Sequence, residues 1–120
     1  MSSSTQRKVL IVDDNVDAAD SLALVLRAMG HEVEVARDGR SGVEMSRRTR
    51  PDIVLLDIAM PGMSGYDAAR EIRRFLGAGV RIIAVTGYGQ DQDRRRSLAA
   101  GFDQHIVKPV DPDLLKRLTG

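Results

Sequence analysis

The sequence contains no cysteine and no tryptophan, and it has only two phenylalanines and two tyrosines. The missing cysteine excludes disulfides, thiol catalysis and metal sites with thiolate ligands. With so few aromatic side chains, the core must be aliphatic. Neither sign of charge dominates, since the formal net charge is +1. The composition therefore gives no case for direct nucleic-acid binding or for a membrane-binding surface.

Long apolar runs are also missing. None approaches the roughly 18 residues that a membrane-spanning helix needs. Residues 1–6 are polar and lack the apolar region of a signal peptide. We expect them to form a short disordered lead-in. A length of 120 residues suits one compact domain and is too short for two. The sequence thus predicts one domain over residues 7–120, in a cytoplasmic protein without membrane insertion.

Short β-rich runs alternate with segments of helical spacing along the chain. The predicted strands occupy residues 8–12, 33–35, 53–56, 82–85 and 105–107. The first helix has apolar residues at i, i+3, i+4 and i+7 from Leu22 to Met29, and it should end at Gly30. The later helices are predicted over residues 41–48, 66–76 and 90–100, followed by one that Asp111 caps and Pro112 begins.

Five β–α repeats predict an α/β fold with a doubly wound, five-stranded parallel sheet between two helical layers. The first, third and fourth strands are continuously apolar, which is typical of central strands covered on both faces. Val33-Glu34-Val35 alternates instead, so the second strand should lie at an edge. No internal repeat is detectable.

Polar residues follow four of the five predicted strands, at the point where each strand ends. In an open parallel sheet, ligands bind at this carboxyl edge. We therefore expect these side chains to gather there, although they come from four separate parts of the sequence. They are Asp13-Asp14-Asn15, Asp57, Thr86-Gly87 and Lys108-Pro109.

The chemistry of these groups fits a phosphoryl-transfer site. Three carboxylates held close together repel one another, and a divalent cation relieves that repulsion. Oxygen donors without cysteine or a nearby histidine favour Mg²⁺, or Mn²⁺ in its place, over zinc. A carboxylate can form an aspartyl phosphate, while Lys108 and Thr86 are suited to the other phosphate oxygens. Taken singly, such residues more often cap helices or face solvent, and only their joint occurrence favours a functional site.

From about Arg7 to Leu118, these motifs resemble the receiver domain of bacterial response regulators. The resemblance rests on four motifs, of which Asp57 followed by Met-Pro-Gly-x-x-Gly is the most specific. It implies a flavodoxin-like (βα)5 fold and a regulatory phosphoprotein of a two-component phosphorelay. It also implies that the only catalysis is the domain's own Mg²⁺-dependent phosphorylation and dephosphorylation. The motifs are Val12-Asp13-Asp14-Asn15, the stretch from Leu55 to Gly65, Val85-Thr86-Gly87 and Lys108-Pro109.

The same resemblance assigns a role to each acidic residue. Asp57 would be the phosphoacceptor. Asp14, Asp57 and the backbone carbonyl of Ala59 would bind Mg²⁺ directly, and Asp13 would assist through water. Position Ala59, together with Tyr88, also tunes the lifetime of the phosphoryl group in the family. At neutral pH, neither side chain can act as an acid or base on an attacking water, so the lifetime is not predicted.

The remaining positions concern the phosphoryl group and the change of conformation that phosphorylation causes in receiver domains. Thr86 and Lys108 would contact the phosphoryl group, and the Lys108-Pro109 bond is expected to be cis. In receivers the threonine moves inward and an aromatic residue three positions before the lysine reorients. That position is His105 here, where tyrosine or phenylalanine is more usual. A half-exposed histidine without a switching role is the alternative, and if His105 does move, signalling could depend on pH at about pH 6 to 7.

Partners follow from the resemblance as well. A histidine kinase or a histidine phosphotransfer domain would face the first helix around 16–23 together with Pro109 and Val110. A downstream output protein or domain would contact the fourth helix, fifth strand and fifth helix. That face includes the arginine run 94–96, His105 and Lys116, although such a run is more often simply a solvated helix face.

Three alternative functions are less consistent with the residues at the strand ends. A degenerate receiver would bind partners without phosphorylation, but all five key positions are filled. A phosphatase of the haloacid-dehalogenase type expects an acid two residues after its strand-one aspartate, where this chain has Asn15 after Asp13. A nucleotide-binding domain would need a glycine-rich phosphate loop, which is missing. Whether the domain is free-standing or part of a hybrid kinase or larger regulator stays open.

Overall fold

The computed structural model of the protein describes residues 6–87 and 94–119. Within these ranges the strands are β1 (Lys8–Val12), β2 (Glu32–Ala36), β3 (Ile53–Asp57), β4 (Arg81–Thr86) and β5 (Gln104–Val107). The helices are α1 (Val16–Ala28), α2 (Gly39–Thr49), α3 (Gly65–Leu76), α4 (Arg94–Ala100) and α5 (Pro112–Thr119). Most of the predicted lead-in, Tyr88 and the predicted start of the fourth helix lie outside the described residues.

Short polar side chains begin the helices by accepting a backbone N–H of the first turn. Asn15 accepts from Ala18 at 3.0 Å and thereby begins α1. Asp38 does the same for α2, which is why that helix starts two residues earlier than the apolar spacing predicted. The predicted end of α1 is confirmed, since Gly30 has a φ of 96° just beyond its C-cap. The predicted start of α5 at Pro112 is confirmed too.

The described strands form one parallel sheet in the order β2-β1-β3-β4-β5. This is the flavodoxin-like order, in which the chain winds outward in both directions from β1 and β3. The three apolar strands are central and β2 lies at an edge, as predicted. The prediction of a doubly wound α/β fold is therefore confirmed.

Helices cover both faces of the sheet and produce two aliphatic core layers. Successive residues of a strand point to opposite faces, so each central strand supplies both layers. The first layer joins α1 and α5 to the sheet and includes Val9, Ile11, Leu26, Leu55 and Leu115. The second layer lies under α2 and α3 and includes Leu10, Val12, Val43, Leu56 and Ile72. No helix in the described part of the chain is long and apolar enough to cross a membrane.

Arg73 at the end of α3 fastens the edge of the sheet opposite the predicted site. Its guanidinium donates to the carbonyls of Gly77 at 2.8 Å and Val80 at 2.7 Å. It also pairs with the Asp103 carboxylate at 2.8 Å, and the same oxygen of Asp103 accepts the Ile82 N–H. One side chain thus connects α3 to the segments that lead into β4 and β5.

A buried histidine closes the same end of the molecule. His31 accepts the Arg7 backbone N–H on Nδ1 at 3.0 Å, so the neutral ring carries its proton on Nε2. Nε2 lies 3.2 Å from the Thr119 hydroxyl, which in turn donates to the Leu115 carbonyl. Burial, followed by the Arg7 charge, lowers the pKa of His31. The neutral ring therefore joins the starts of β1 and β2 to the last turn of α5.

Candidate functional site

The acidic residues predicted at the strand ends lie together at the carboxyl edge of the sheet. Asp13 follows β1, and its backbone N–H donates to the Ala36 carbonyl at 3.0 Å. Its Oδ1 accepts the Asn15 N–H at 2.9 Å, which fixes the carboxylate. Asp57 is the last residue of β3, the strand beside β1. The parallel pairing of β1 and β3 therefore brings these two carboxylates to one place.

Asp14 completes an oxygen cluster with these two residues. One carboxylate oxygen from each of Asp13, Asp14 and Asp57 lies within 4.8 Å of the others. Asp13 and Asp57 are buried, at 2% and 5% exposure, whereas Asp14 is exposed. The cluster thus has two fixed, desolvated carboxylates at its base and one at its solvent side. Hard oxygen donors in this arrangement suit Mg²⁺, which retains waters in most protein sites.

Lys108 supplies the positive charge of the site. Its Nζ lies 2.9 Å from Oδ2 of Asp13 and 3.9 Å from Oδ2 of Asp57. Its backbone N–H donates to the Thr86 carbonyl at 2.7 Å, which ties the end of β5 to the end of β4. The peptide bond between Lys108 and Pro109 is cis. The ammonium group therefore pairs mainly with Asp13 and is within reach of Asp57.

The surroundings of Asp57 favour its protonated form. Burial, together with the negative charge of Asp13, raises the pKa of Asp57 to about 6, although Lys108 acts in the opposite direction. The Ala59 backbone N–H donates to Oδ1 at 3.1 Å and also favours the ionised form. At neutral pH the carboxylate is therefore ionised but poorly stabilised. A cation nearby would lower its free energy.

Thr86 ends β4 beside the end of β3, since Asp57 pairs in register with Val85. The side chain of Thr86 is fully buried, and its hydroxyl donates to the Ile106 carbonyl at the long distance of 3.4 Å. The strands thus bring Thr86 to the edge where the carboxylates lie. Gly87 follows it and is half-buried.

The loop after Asp57 is held close to the carboxylates. Ala59 is exposed next to the cluster, while Met60 is buried in the core. Gly65, the first residue of α3, donates its N–H to the Ile58 carbonyl at 3.0 Å. A Cβ at Gly65 would lie 2.5 Å from the Asp57 carbonyl oxygen, so only glycine fits there. This explains why the loop after the phosphoacceptor candidate ends in glycine.

His105 lies on β5 and is half-buried. Its ring stacks at a tilt of 38° against Phe102, with the ring centroids 6.1 Å apart. Phe102 in turn meets Tyr66 edge to face at 6.0 Å. No motif in the sequence marks these two aromatic residues as neighbours of His105. Their spacing along the chain carries no signal, because the contact arises only when the start of α3 meets the segment between α4 and β5.

The residues that were predicted to face a partner, on α1 and after β5, lie beside one another. The side of α1 and the loop after β5 enclose a largely apolar groove of about 340 Å³. Ala18 and Ser21 line it from the helix, and Pro109 and Val110 line it from the loop. Of the predicted output face, Lys116 is exposed on α5, and Arg95 is exposed on α4.

Known proteins are similar to this chain in sequence and in fold. The family described as the response regulator receiver domain matches residues 9–119. The DNA-binding response regulator MtrA of Mycobacterium tuberculosis is 37% identical over 107 residues, which are 89% of this chain and 46% of MtrA. The chain thus spans about half the length of that relative.

Two solved structures are informative about the site. The receiver domain of sensor histidine kinase PA1611 from Pseudomonas aeruginosa, with a magnesium ion coordinated in its active-site cleft, has a TM-score of 0.83 and 34% identity. The match covers 95% of this chain and 94% of that one. The other is the co-crystal structure of the Saccharomyces cerevisiae histidine phosphotransfer protein Ypd1 and the receiver domain of its downstream response regulator Ssk1. Its match has a TM-score of 0.84 at 28% identity and covers 95% of this chain and 86% of that one. The chain therefore belongs to the family of response regulator receiver domains, the regulatory domains of two-component systems.

Proposed function

We propose that Asp57 accepts a phosphoryl group from a phosphorylated histidine in a Mg²⁺-dependent reaction, and that the domain changes conformation as a result. The observation that carries this proposal is the state of Asp57. It is a buried carboxylate with a raised pKa, set 3.9 Å from the Lys108 ammonium and within 4.8 Å of two further carboxylates. Such an arrangement is costly for stability and is typical of a functional site.

The chemical step needs only one nucleophile from this chain. A carboxylate oxygen of Asp57 forms a bond to phosphorus while the P–N bond to the donor imidazole breaks. The electron pair of that bond stays on the imidazole nitrogen, and the other ring nitrogen carries the proton. The protein's main contribution is to position the carboxylate and to neutralise charge on the transferred group. For dephosphorylation, water attacks phosphorus while the P–O bond to Asp57 breaks. The electron pair of that bond returns to the carboxylate, and inorganic phosphate is released.

Asp14, Asp57 and the Ala59 carbonyl are the groups that we expect to hold Mg²⁺, with Asp13 acting through water. Both oxygens of Asp13 already have partners, Asn15 and Lys108, which supports its indirect role. Bound Mg²⁺ would offset the negative charge of the carboxylates and of the phosphoryl oxygens. The magnesium ion in the PA1611 receiver domain supports this cofactor, and Mn²⁺ is expected to substitute.

Thr86 and Lys108 would bind the phosphoryl oxygens. The Thr86 hydroxyl donates to the Ile106 carbonyl at the long distance of 3.4 Å, a weak hydrogen bond that a phosphoryl oxygen would replace. The Lys108 ammonium can move between Asp13 and a phosphoryl group on Asp57, because the two carboxylates flank it. Each residue would thus change partner when Asp57 is phosphorylated.

The donor would be a histidine kinase or a histidine phosphotransfer domain that docks on the groove between α1 and the loop after β5. The complex of Ypd1 with the Ssk1 receiver supports a donor of this class. The exposed Val16 at the start of α1 and the apolar lining of the groove suit the helical surface of such a partner. We place the reaction in the cytoplasm, where ATP supplies the kinase. The output would be a downstream protein or an attached domain, with no direct nucleic-acid contact by the receiver itself.

The test is incubation with acetyl phosphate and Mg²⁺, followed by intact-mass spectrometry. We expect the protein to gain one phosphoryl group, and both Asp57→Asn and the metal-free sample to gain none. Asp17→Asn removes the same charge from an exposed position of α1 and should still be phosphorylated. A protein that stays unmodified while its fold is intact would contradict the proposal. The domain would then act as a receiver-like binding module without phosphorylation.

A further inference from the structure

The chain that leaves β2 lies beside the acidic residues, although none of the groups assigned to the proposed site comes from β2. The carbonyl of Ala36, the last residue of β2, accepts the Asp13 N–H at 3.0 Å. Two residues further on, the Asp38 carboxylate accepts the Ser41 N–H at 2.8 Å and caps α2, which begins at Gly39. The junction of β2 and α2 is therefore attached to the backbone of the first acidic segment.

Gly39 also meets the loop that follows Asp57. A Cβ at Gly39 would lie 2.9 Å from the Met63 carbonyl oxygen and 3.0 Å from both Cβ and Cγ of Met63. All three distances are shorter than van der Waals contact allows, so an added methyl group would push α2 and the loop apart. The Met63 side chain packs against the core layer beneath α2 and α3 and has little room to withdraw. Only glycine lets α2 lie this close to the loop.

This loop carries the backbone carbonyl that is expected to bind Mg²⁺. At the start of the loop, the Ala59 N–H donates to Oδ1 of Asp57 at 3.1 Å. Met60 is buried in the core beneath α3. Three residues later, Met63 lies against Gly39. The Ala59 carbonyl therefore belongs to a short segment that is held between Asp57 and the first residue of α2.

We propose that the junction of β2 and α2 (residues 36–39) is a brace that sets the distance between the two metal-binding segments, and that Gly39 is a positioning residue for Mg²⁺. This inference rests on the proposed function, in which groups from both segments bind the ion. Through Ala36 the brace holds the segment of Asp13 and Asp14, and through Gly39 it holds the loop after Asp57. Because Mg²⁺ demands nearly ideal octahedral geometry, a displacement of one segment weakens its binding.

Titration of the unphosphorylated protein with Mg²⁺, followed on the backbone amides by NMR, tests the brace and shows whether each variant is folded. We expect Gly39→Ala to bind Mg²⁺ about tenfold more weakly than the wild type, as is typical when the groups that orient metal ligands are changed. Gly79→Ala is the matched control, since a Cβ at Gly79 meets nothing within 4 Å. Arg73→Met is the control for lost stability, because Arg73 binds Val80 and Asp103 at the opposite edge of the sheet. Both controls should bind Mg²⁺ as the wild type does.

A folded Gly39→Ala protein with the wild-type dissociation constant for Mg²⁺ would overturn the brace alone. So would an equal loss of affinity in Arg73→Met, because the loss would then follow stability and not the position of the loop. Should Gly39→Ala fail to fold, Met63→Ala removes the side chain on the other side of the contact. It should also weaken Mg²⁺ binding, and wild-type affinity in that variant would overturn the brace. A wild-type protein that binds no Mg²⁺ would overturn both the brace and the proposed Mg²⁺-dependent function.

Discussion

Replacing Asp57 with asparagine should stabilise the metal-free protein at neutral pH. Burial and Asp13 raise the pKa of Asp57 from 3.8 to about 6, so the folded protein binds this proton more tightly than the unfolded chain does. The free energy of unfolding therefore falls as the pH rises from about 4 to about 6, and the full cost applies above that range. Asparagine removes the buried charge while its carbonyl oxygen can still accept the Ala59 N–H.

The expected difference in the free energy of unfolding between Asp57→Asn and the wild type follows from the raised pKa of Asp57. Each pKa unit is worth about 1.4 kcal/mol, so ionised Asp57 costs about 3 kcal/mol at about pH 7.5 and roughly half as much at about pH 5. Urea denaturation of the wild type and Asp57→Asn in a metal-chelating buffer measures this difference directly. Asp17→Asn controls for the change in net charge and should alter stability by no more than about 0.5 kcal/mol.

Magnesium gives the experiment a second arm. A ligand that binds only the folded state stabilises it in proportion to the logarithm of its concentration, so Mg²⁺ should stabilise the wild type more than Asp57→Asn. The gap between the two proteins should narrow accordingly. A variant that is no more stable than the wild type at neutral pH, or a gain that does not shrink at the lower pH, would refute the reasoning.

Three further substitutions test other parts of the structure. Gly65→Ala would force a Cβ against the Asp57 carbonyl oxygen. It should lower the free energy of unfolding, measured by urea denaturation, by about 1–3 kcal/mol. Gly79→Ala is the control and should be nearly neutral, because a Cβ at Gly79 meets nothing within 4 Å. Arg73→Met removes the donor from several acceptors and should lower the free energy of unfolding by about 2–4 kcal/mol. Arg74→Met, at an exposed position, should change it by less than about 0.5 kcal/mol. Equal losses in the two variants would contradict the role of Arg73 in connecting α3 to the segments that lead into β4 and β5. The pKa of His31 is lowered from 6.5, so its neutral form contributes stability above that pH, and the contribution is lost as the pH falls below it. His31→Phe should therefore flatten the decline in stability on the acid side, and a difference between the two proteins that does not vary with pH would count against this.

The sequence predicted where most of the strands and helices begin and end. Apolar runs and helix-capping residues are local signals, so strand β3 and the Pro112 start of α5 could be recognised without a structure. Because the strands are parallel, those local assignments also predicted which residues would meet at one edge. The bounds of α2 were less accurate, since Asp38 and Gly39 extend it beyond the apolar residues of the helix.

The arrangement within the site could not be predicted in the same way. That Lys108 lies closer to Asp13 than to Asp57 depends on side-chain distances of 2.9 and 3.9 Å, which no motif specifies. The raised pKa of Asp57 depends on burial, which only the packed structure defines. The contact of Phe102 with His105 and Tyr66 depends on how α3 packs against α4 and the segment that leads into β5. The roles of Thr86 and His105 in switching stay predictions.

The position of Lys108 has a consequence for how the domain is used. Three carboxylates and one ammonium leave the site with two negative charges, so a single divalent cation would bring it to electroneutrality. Because Lys108 already balances part of the repulsion, a bound ion would have two negative charges to offset rather than three. An empty site would therefore cost the fold less than three uncompensated carboxylates would.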